Sequence, residues 1–163
     1  RLDYLVSLTS HGAGEDGLQS RVNSTLLRTV GGVSILLQLD VTTPRPYSRL
    51  QTVCGTKGFV SKYPTPTIQL DGQPLLKGSE ALAAMEQHYT SDAALRWLEG
   101  RRLNVPNEMN YVMDARLIHC LRYGLPLDID VYDAAEWSCI AELSEQSAVN
   151  GSRPVPVPDF TNN

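Results

Sequence analysis

No apolar run in this chain extends beyond a few residues; the densest, at Ile35-Leu36-Leu37, is far short of the roughly 20 residues that span a bilayer, so no membrane helix is expected. Excess positive charge is also missing. Lys plus Arg number 14 against 18 Asp plus Glu, without a block of one sign, which argues against a nucleic-acid partner whose phosphates demand clustered cations. Cysteine is scarce and odd in number: Cys54, Cys120 and Cys139 are widely spaced, a pattern that suits buried, reduced thiols better than a disulfide framework. His11, His88 and His119 share no ligand spacing with one another or with the cysteines, so no metal site is expected. Neither a Gly-x-Ser-x-Gly elbow nor a Cys/His nucleophile pair is legible. What remains is ordinary globular protein: 163 residues, 42% hydrophobic and 20% charged, about one domain in size. The chain opens at Arg1 without Met, and bacterial cytoplasm and periplasm both stay open as its compartment.

Residues 2–75 read as strands. Leu2, Tyr4, Val6 and Leu8 alternate with polar neighbours, the period of a half-buried strand whose apolar face is formed by these residues. Val33, Ile35, Leu37, Leu39 and Val41 alternate in the same way and predict a covered face, with Leu36 and Gln38 looking outward. Gly31-Gly32 between two apolar runs predicts a type I′ hairpin turn, and Asp71-Gly72 a second tight turn. Gly55-Thr-Lys-Gly58 punctuates a further pair of strands.

From Ser79 the period becomes helical. Ser79 is the expected N-cap of a first helix, and a shorter helix follows Asp92. Asn107 to Tyr123 is the longest candidate, with Met109, Val112, Met113, Leu117, Cys120 and Leu121 in one broad apolar stripe and Gly124 as its left-handed stop. Asp130 caps a last helix whose Trp137, Cys139, Ile140 and Leu143 predict deep burial. Sheet first and helices after point to an α+β fold, an open and largely antiparallel sheet with helices on one face. The expected division is a sheet domain over 1–150 and an extended, polyproline-like tail over 151–163, where Pro154, Pro156 and Pro158 alternate.

Two segments invite a functional reading. Gly12-Ala-Gly14-Glu-Asp-Gly17 is a literal G-x-G-x-x-G, with Asp40 at nearly the spacing of a dinucleotide-binding βαβ unit. The residues between disagree. Glu15 and Asp16 would sit beside the pyrophosphate, Asn23-Ser-Thr25 is a poor helix centre, and Gly31-Gly32 reverses the chain where a crossover should continue. A glycine-rich loop is the better account. In Thr42-Thr-Pro-Arg-Pro-Tyr-Ser-Arg49, two prolines stiffen the backbone beside Arg45, Tyr47 and Arg49 at a strand end. Arginine suits carboxylates or phosphates and a tyrosine hydroxyl suits a sugar, while a stiffened surface corner accounts for the same residues equally well.

Asn23-Ser-Thr-Leu-Leu-Arg-Thr29, Asp40-Val-Thr-Thr-Pro-Arg-Pro-Tyr-Ser-Arg-Leu50, Gly55-Thr-Lys-Gly58 and the long Met113–Trp137 stretch, with its Gly124-Leu-Pro-Leu-Asp-Ile-Asp-Val-Tyr-Asp-Ala-Ala-Glu-Trp137 core, occur in this order. In that arrangement the chain resembles glycoside hydrolase family 109, a branch of the Gfo/Idh/MocA oxidoreductase superfamily. The resemblance implies a two-domain enzyme: an N-terminal Rossmann domain holding NAD, then an α/β domain with an open sheet, of which this chain is similar to the later part. It implies α-N-acetylgalactosaminidase activity, in which NAD transiently oxidises the sugar and the glycoside is eliminated. Carried over by motif, the tyrosine of the Pro-Arg-Pro-Tyr-Ser-Arg segment is a substrate-contacting position, here Tyr47, with Arg45 and Arg49 as weaker neighbours. No catalytic, cofactor-binding or metal-binding residue is carried onto this chain, which alone is expected to be inactive and not to bind NAD. The partners implied are the sugar, the Rossmann domain and a second copy met through the sheet. The alternatives are a non-catalytic sugar-binding or oligomerisation module lacking the Rossmann half, or a superfamily oxidoreductase of other specificity.

Overall fold

A computed structural model of the chain describes residues 1–13 and 19–161. The side chains of residues 11–21 are also outside what it describes. It is α+β, with two four-stranded antiparallel sheets and four helices among the described residues. The chain divides into two compact units, one made of Arg1–Arg45 and Asp128–Asn163, the other of Pro46–Leu127.

The first unit contains β1 (Leu2–Ala13), β2 (Gln19–Thr29), β3 (Ser34–Asp40), the helix α4 (Val131–Val149) and the short strand β8 (Val155–Pro156). Its sheet runs β3-β2-β1-β8, and α4 lies on β1. Asp130 starts α4 with a reciprocal capping box: its carboxylate accepts from the Tyr132 and Asp133 amides, and Asp133 accepts from the Asp130 amide. The core is small, formed by Leu2, Leu5, Leu27, Leu143 and Val157 with Cys139, Ile140 and Val155 at its margin.

The buried face of β1 is not the one its alternation predicts. Leu2 pairs with Thr29 but Tyr4 already pairs with Arg28, so one extra residue bulges out of the strand. A bulge shifts the side-chain phase by one, and from there Leu5 and Ser7 point inward while Tyr4 and Leu8 stand exposed. The inward face is therefore partly polar. Ser7, Thr25, Ser144 and Ser147 are buried between sheet and helix, and every hydroxyl is hydrogen-bonded. Ser147 Oγ accepts from the Ser7 amide at 2.9 Å and donates to the Arg153 carbonyl at 2.7 Å. Thr25 Oγ1 lies 2.9 Å from Ser7 Oγ and 3.0 Å from Ser144 Oγ. Small hydroxylic residues let the helix approach closely without stranding a polar group.

Other expectations in this unit are also revised. Only Gly32 has positive φ (85°), so the β2–β3 connection is not a type I′ turn; the Gly32 amide bonds the Thr29 carbonyl, and Thr29 also bonds the Val33 amide through its side chain. Val33, Ile35, Leu37 and Leu39 are 38–64% exposed, because α4 covers β1 and leaves edge strand β3 bare. Trp137 is 55% exposed for the same reason that α4 buries only a narrow stripe, centred on Leu143, Ser144 and Ser147. The proline-rich tail is extended and joins the sheet: β8 pairs with Tyr4 and Leu5, the Val157 amide bonds the Asp3 carbonyl at 2.8 Å, and Val157 enters the core.

The second unit contains β4 (Thr52–Gly55), β5 (Gly58–Ser61), β6 (Thr67–Leu70), β7 (Leu76–Lys77), α1 (Ser79–His88), α2 (Asp92–Arg102) and α3 (Glu108–Tyr123). Its sheet follows chain order, β4-β5-β6-β7, a meander. The Gly55-Thr-Lys-Gly58 segment is the β4–β5 hairpin; Gly58 faces Leu70, and a Cβ there would lie 2.8 Å from Leu70 Cδ2 and 3.0 Å from the Gln69 carbonyl oxygen. The Asp71-Gly72 turn is present, closed by the Gln73 amide on the Leu70 carbonyl with Gly72 at φ 69°. Gly78, not Ser79, precedes the first helical residue of α1, and no side chain caps it. Asn107 caps α3 by accepting from the Asn110 amide, and Gly124 ends it at φ 63° as its sequence predicts. Helices α2 and α3 pack on each other, yet Met109, Met113, Leu117 and Leu121 of α3 remain 43–69% exposed; of the expected stripe, Cys120 alone is buried. No described helix is long and apolar enough to cross a membrane.

Candidate functional site

The proline-rich segment ending at Arg49 is shared between the two units. Arg45 belongs to the first, with Asp40, the last residue of β3. The Asp40 carboxylate is a local organiser. It accepts from the Thr42 amide at 3.3 Å, from the Thr43 amide at 3.1 Å and from the Thr43 hydroxyl, and it pairs with Arg45 Nε at 2.7 Å. Bonds from the Thr43 hydroxyl and amide, with the Arg45 charge as a lesser cause, hold the Asp40 carboxyl below its ordinary value. Arg45 thereby closes a turn onto the Asp40 carboxylate.

Tyr47 and Arg49 belong to the second unit and are brought together there. Tyr47 is 70% exposed, which a central-strand or core tyrosine would not be. Its hydroxyl accepts a hydrogen bond from Arg49 Nε, and the guanidinium carbon stands 5.8 Å from the ring centroid. The ring meets Tyr63 edge-on, with centroids 6.1 Å apart and planes at 79°, a favourable aromatic geometry. Lys62 places its ammonium 5.8 Å from the Tyr63 ring. Two tyrosines and two cations thus form one cluster at the beginning of this unit.

The hairpin β4–β5 positions Tyr63. Ser61, buried, donates to the Tyr63 carbonyl at 3.0 Å and shares a 3.1 Å hydrogen bond with Thr52 across the ladder. On the other side, Leu50 and Gln51 both adopt positive φ (61° and 43°), a costly conformation for residues with a Cβ. That kink lets the Gln51 carbonyl accept from the Lys62 amide at 3.1 Å and the Leu50 amide donate to Ser48 Oγ at 3.0 Å, which draws Arg49 back to the end of β5. Tyr63 and the strained pair escaped sequence reasoning; neither has a local signal, since Leu-Gln is not a turn dipeptide.

The remaining sequence candidates are placed as follows. Cys120 is buried and Cys139 half-buried, whereas Cys54 is exposed on edge strand β4, contrary to the expected burial of all three. Burial, and secondarily the charge of Glu136, pushes the Cys139 thiol up, away from the reactive thiolate. His88 and His119 are exposed, His119 with its ring 4.8 Å from Tyr123, and no metal-binding group of acids, histidines and cysteines occurs among the described residues.

The strands described on either side of the glycine-rich segment, β1 and β2, are antiparallel neighbours and not the parallel strands of a βαβ unit. Gly12 and Ala13 lie on β1, whose register continues to Ala13 opposite Gln19 of the antiparallel β2; Gly14 to Leu18 lie outside the described residues. The four described helices each carry an acid in their first turn, Glu80, Asp92, Glu108 and Asp133, where a second anion would be repelled.

Comparison with known proteins decides the family. Residues 11–163 match the family described as glycosyl hydrolase 109, C-terminal domain. The chain belongs to glycosyl hydrolase family 109. It is 56% identical to a family 109 protein of Phocaeicola vulgatus over 99% of this chain and 44% of that protein. It is 55% identical to an alpha-N-acetylgalactosaminidase of Bacteroides fragilis over 99% of this chain and 42% of that protein. A family 109 protein of Bacteroides thetaiotaomicron is 44% identical over 85% of this chain. The chain therefore spans less than half the length of these family 109 relatives.

Proposed function

We propose that this chain is the C-terminal, substrate-side portion of a glycosidase that acts on terminal α-linked N-acetylgalactosamine, and that Tyr47 hydrogen-bonds the sugar. The observation that carries the reading is the state of Tyr47: exposed, yet fixed by Arg49 at its hydroxyl and by Tyr63 at its ring edge. A side chain held still and left open has already lost the rotamer freedom that binding would cost. The name of the Bacteroides fragilis relative supports the substrate class. The family resemblance assigns the redox chemistry to NAD, which on this reading is held by a preceding Rossmann domain, and no step of it is assigned to residues of this chain. Arg45 is a weaker candidate than Tyr47 on this reading, because Asp40 already engages its Nε.

The test is Tyr47→Phe in the whole protein, followed by turnover of an aryl α-N-acetylgalactosaminide and by melting temperature in the same preparation. Losing one neutral hydrogen bond, about 0.5–1.5 kcal/mol, lowers kcat/KM by up to about tenfold. Thermal stability should hardly move, because the ring stays in place. Unchanged turnover, or a collapsed melting temperature, makes the residue structural and ends the proposal.

One observation favours the second reading, a module that associates without catalysis. Tyr4, Leu8, Leu26 and Leu36 are 40–60% exposed on the face of the first sheet opposite α4. Such a face suits a second copy of the chain. Light scattering that returns a strict monomer at high concentration would dispose of it.

A further inference from the structure

We infer that Arg49 sets the sugar specificity of this site, by holding the Tyr47 hydroxyl so that its proton is presented to the acetamido carbonyl of the sugar. The inference rests on the reading of Tyr47 as a sugar contact. A phenol has one proton to give. Arg49 Nε donates to the Tyr47 oxygen, and a guanidinium has no acceptor, so the proton has to leave the pair in another direction. A donor with a full positive charge on its lone pair also strengthens the phenol as a donor, since successive hydrogen bonds polarise one another.

The rest of the cluster has the same bias. Its four members are Tyr47, Arg49, Lys62 and Tyr63; two are cations and none is an acid, so the surface offers donors and positive charge. A ligand group that only accepts gains most from such a surface, and a group that must also donate gains least. At the second carbon of the sugar the choice is between an acetamido group, whose carbonyl is a strong acceptor, and a hydroxyl, which is weaker and carries a proton of its own. The positive-φ pair Leu50–Gln51 and the bond from the Lys62 amide to the Gln51 carbonyl fix the backbone beside Arg49, from which its side chain reaches the Tyr47 hydroxyl and ring. Arg49 is on this account a positioning residue acting through Tyr47.

The experiment measures dissociation constants of methyl α-N-acetylgalactosaminide and methyl α-galactoside on the whole protein by calorimetry. Arg49→Met should weaken the acetamido sugar about threefold to tenfold, the size of one hydrogen bond, and leave the galactoside within about twofold. Tyr47→Phe should do the same, and the double variant should be no worse than either single one, because one contact is lost only once. Arg49→Lys, which keeps the charge but not the fixed N–H, should fall between. Arg49→Gln substitutes if the Met variant melts early. Loss of both sugars in equal measure, or no change in their ratio with Arg49→Met and Arg49→Gln while Tyr47→Phe still weakens binding, overturns the inference and leaves Tyr47 as a sugar contact. No effect of Tyr47→Phe on either sugar removes both.

Discussion

The first unit joins the two ends of the sequence, and its contacts are long-range: Ser7 meets Ser147, and Thr25 meets Ser144. The second unit is one continuous stretch, a meander followed by three helices, with Ile68, Ala81 and Cys120 as its few buried apolar side chains. The first unit concentrates burial and satisfied polar contacts. The second concentrates exposed aromatics, cations and backbone in costly conformations, with Tyr47, Arg49, Leu50, Gln51 and Tyr63 within 17 positions. Stability and candidate function are thus separated along the chain, as expected where a ligand surface requires groups that a core would hide.

The sharpest way to break that contrast is to cut into the core of the first unit. Leu5 is fully buried, and Leu5→Ala should cost about 2–5 kcal/mol in denaturant unfolding of the chain; a cost near zero would mean that the small cluster does not hold the unit together. Next in size is Ser147→Ala, which strands the buried Ser7 amide and removes a part-buried bond to the Arg153 carbonyl, and should cost about 1–3 kcal/mol by the same measurement. The second unit should answer with the opposite sign. Gln51→Gly relieves a left-handed residue costing about 1–2 kcal/mol while adding about 0.5–1 kcal/mol of backbone entropy, so a small gain in melting temperature is expected and a loss would refute the strain.

Thiol labelling tests protection inside each unit without a change in sequence, since the second unit holds both Cys54 and Cys120 and the first holds Cys139. Cys54 should react promptly with an aromatic disulfide reagent in native buffer, and Cys120 and Cys139 slowly, Cys139 also because its thiol is pushed up by burial. Uniform rates would show that burial protects neither Cys120 nor Cys139. The smallest effect is electrostatic. The Asp40 carboxyl is lowered from 3.8, so its contribution to folding is complete above that value and is lost as pH falls through the lower folded value. Carboxyl carbon shifts followed by NMR should give Asp40 a midpoint below 3.8, and Thr43→Val, which removes the leading hydroxyl bond, should move it up toward 3.8.

Much of this architecture is a local matter. The hairpin at Gly55-Thr-Lys-Gly58, the Asp71-Gly72 turn, the Asn107 and Asp130 caps and the Gly124 stop follow from side chains that act on their own neighbours, and the change from period two to helical period falls where the strands end. The family resemblance is legible locally too, in runs such as Pro44-Arg-Pro-Tyr-Ser-Arg49 and Gly124–Trp137. The tertiary structure alone decided which face of β1 is buried, because a one-residue bulge reverses an alternation that the residues themselves display. It likewise decided that the proline-rich tail closes the core as β8, that β3 stands at a bare edge, and that Tyr63 comes to Tyr47. Each of these depends on what a distant segment offers as a partner: a hydrogen-bonding edge, a covering helix or a ring. Periodicity along one strand carries no information about that.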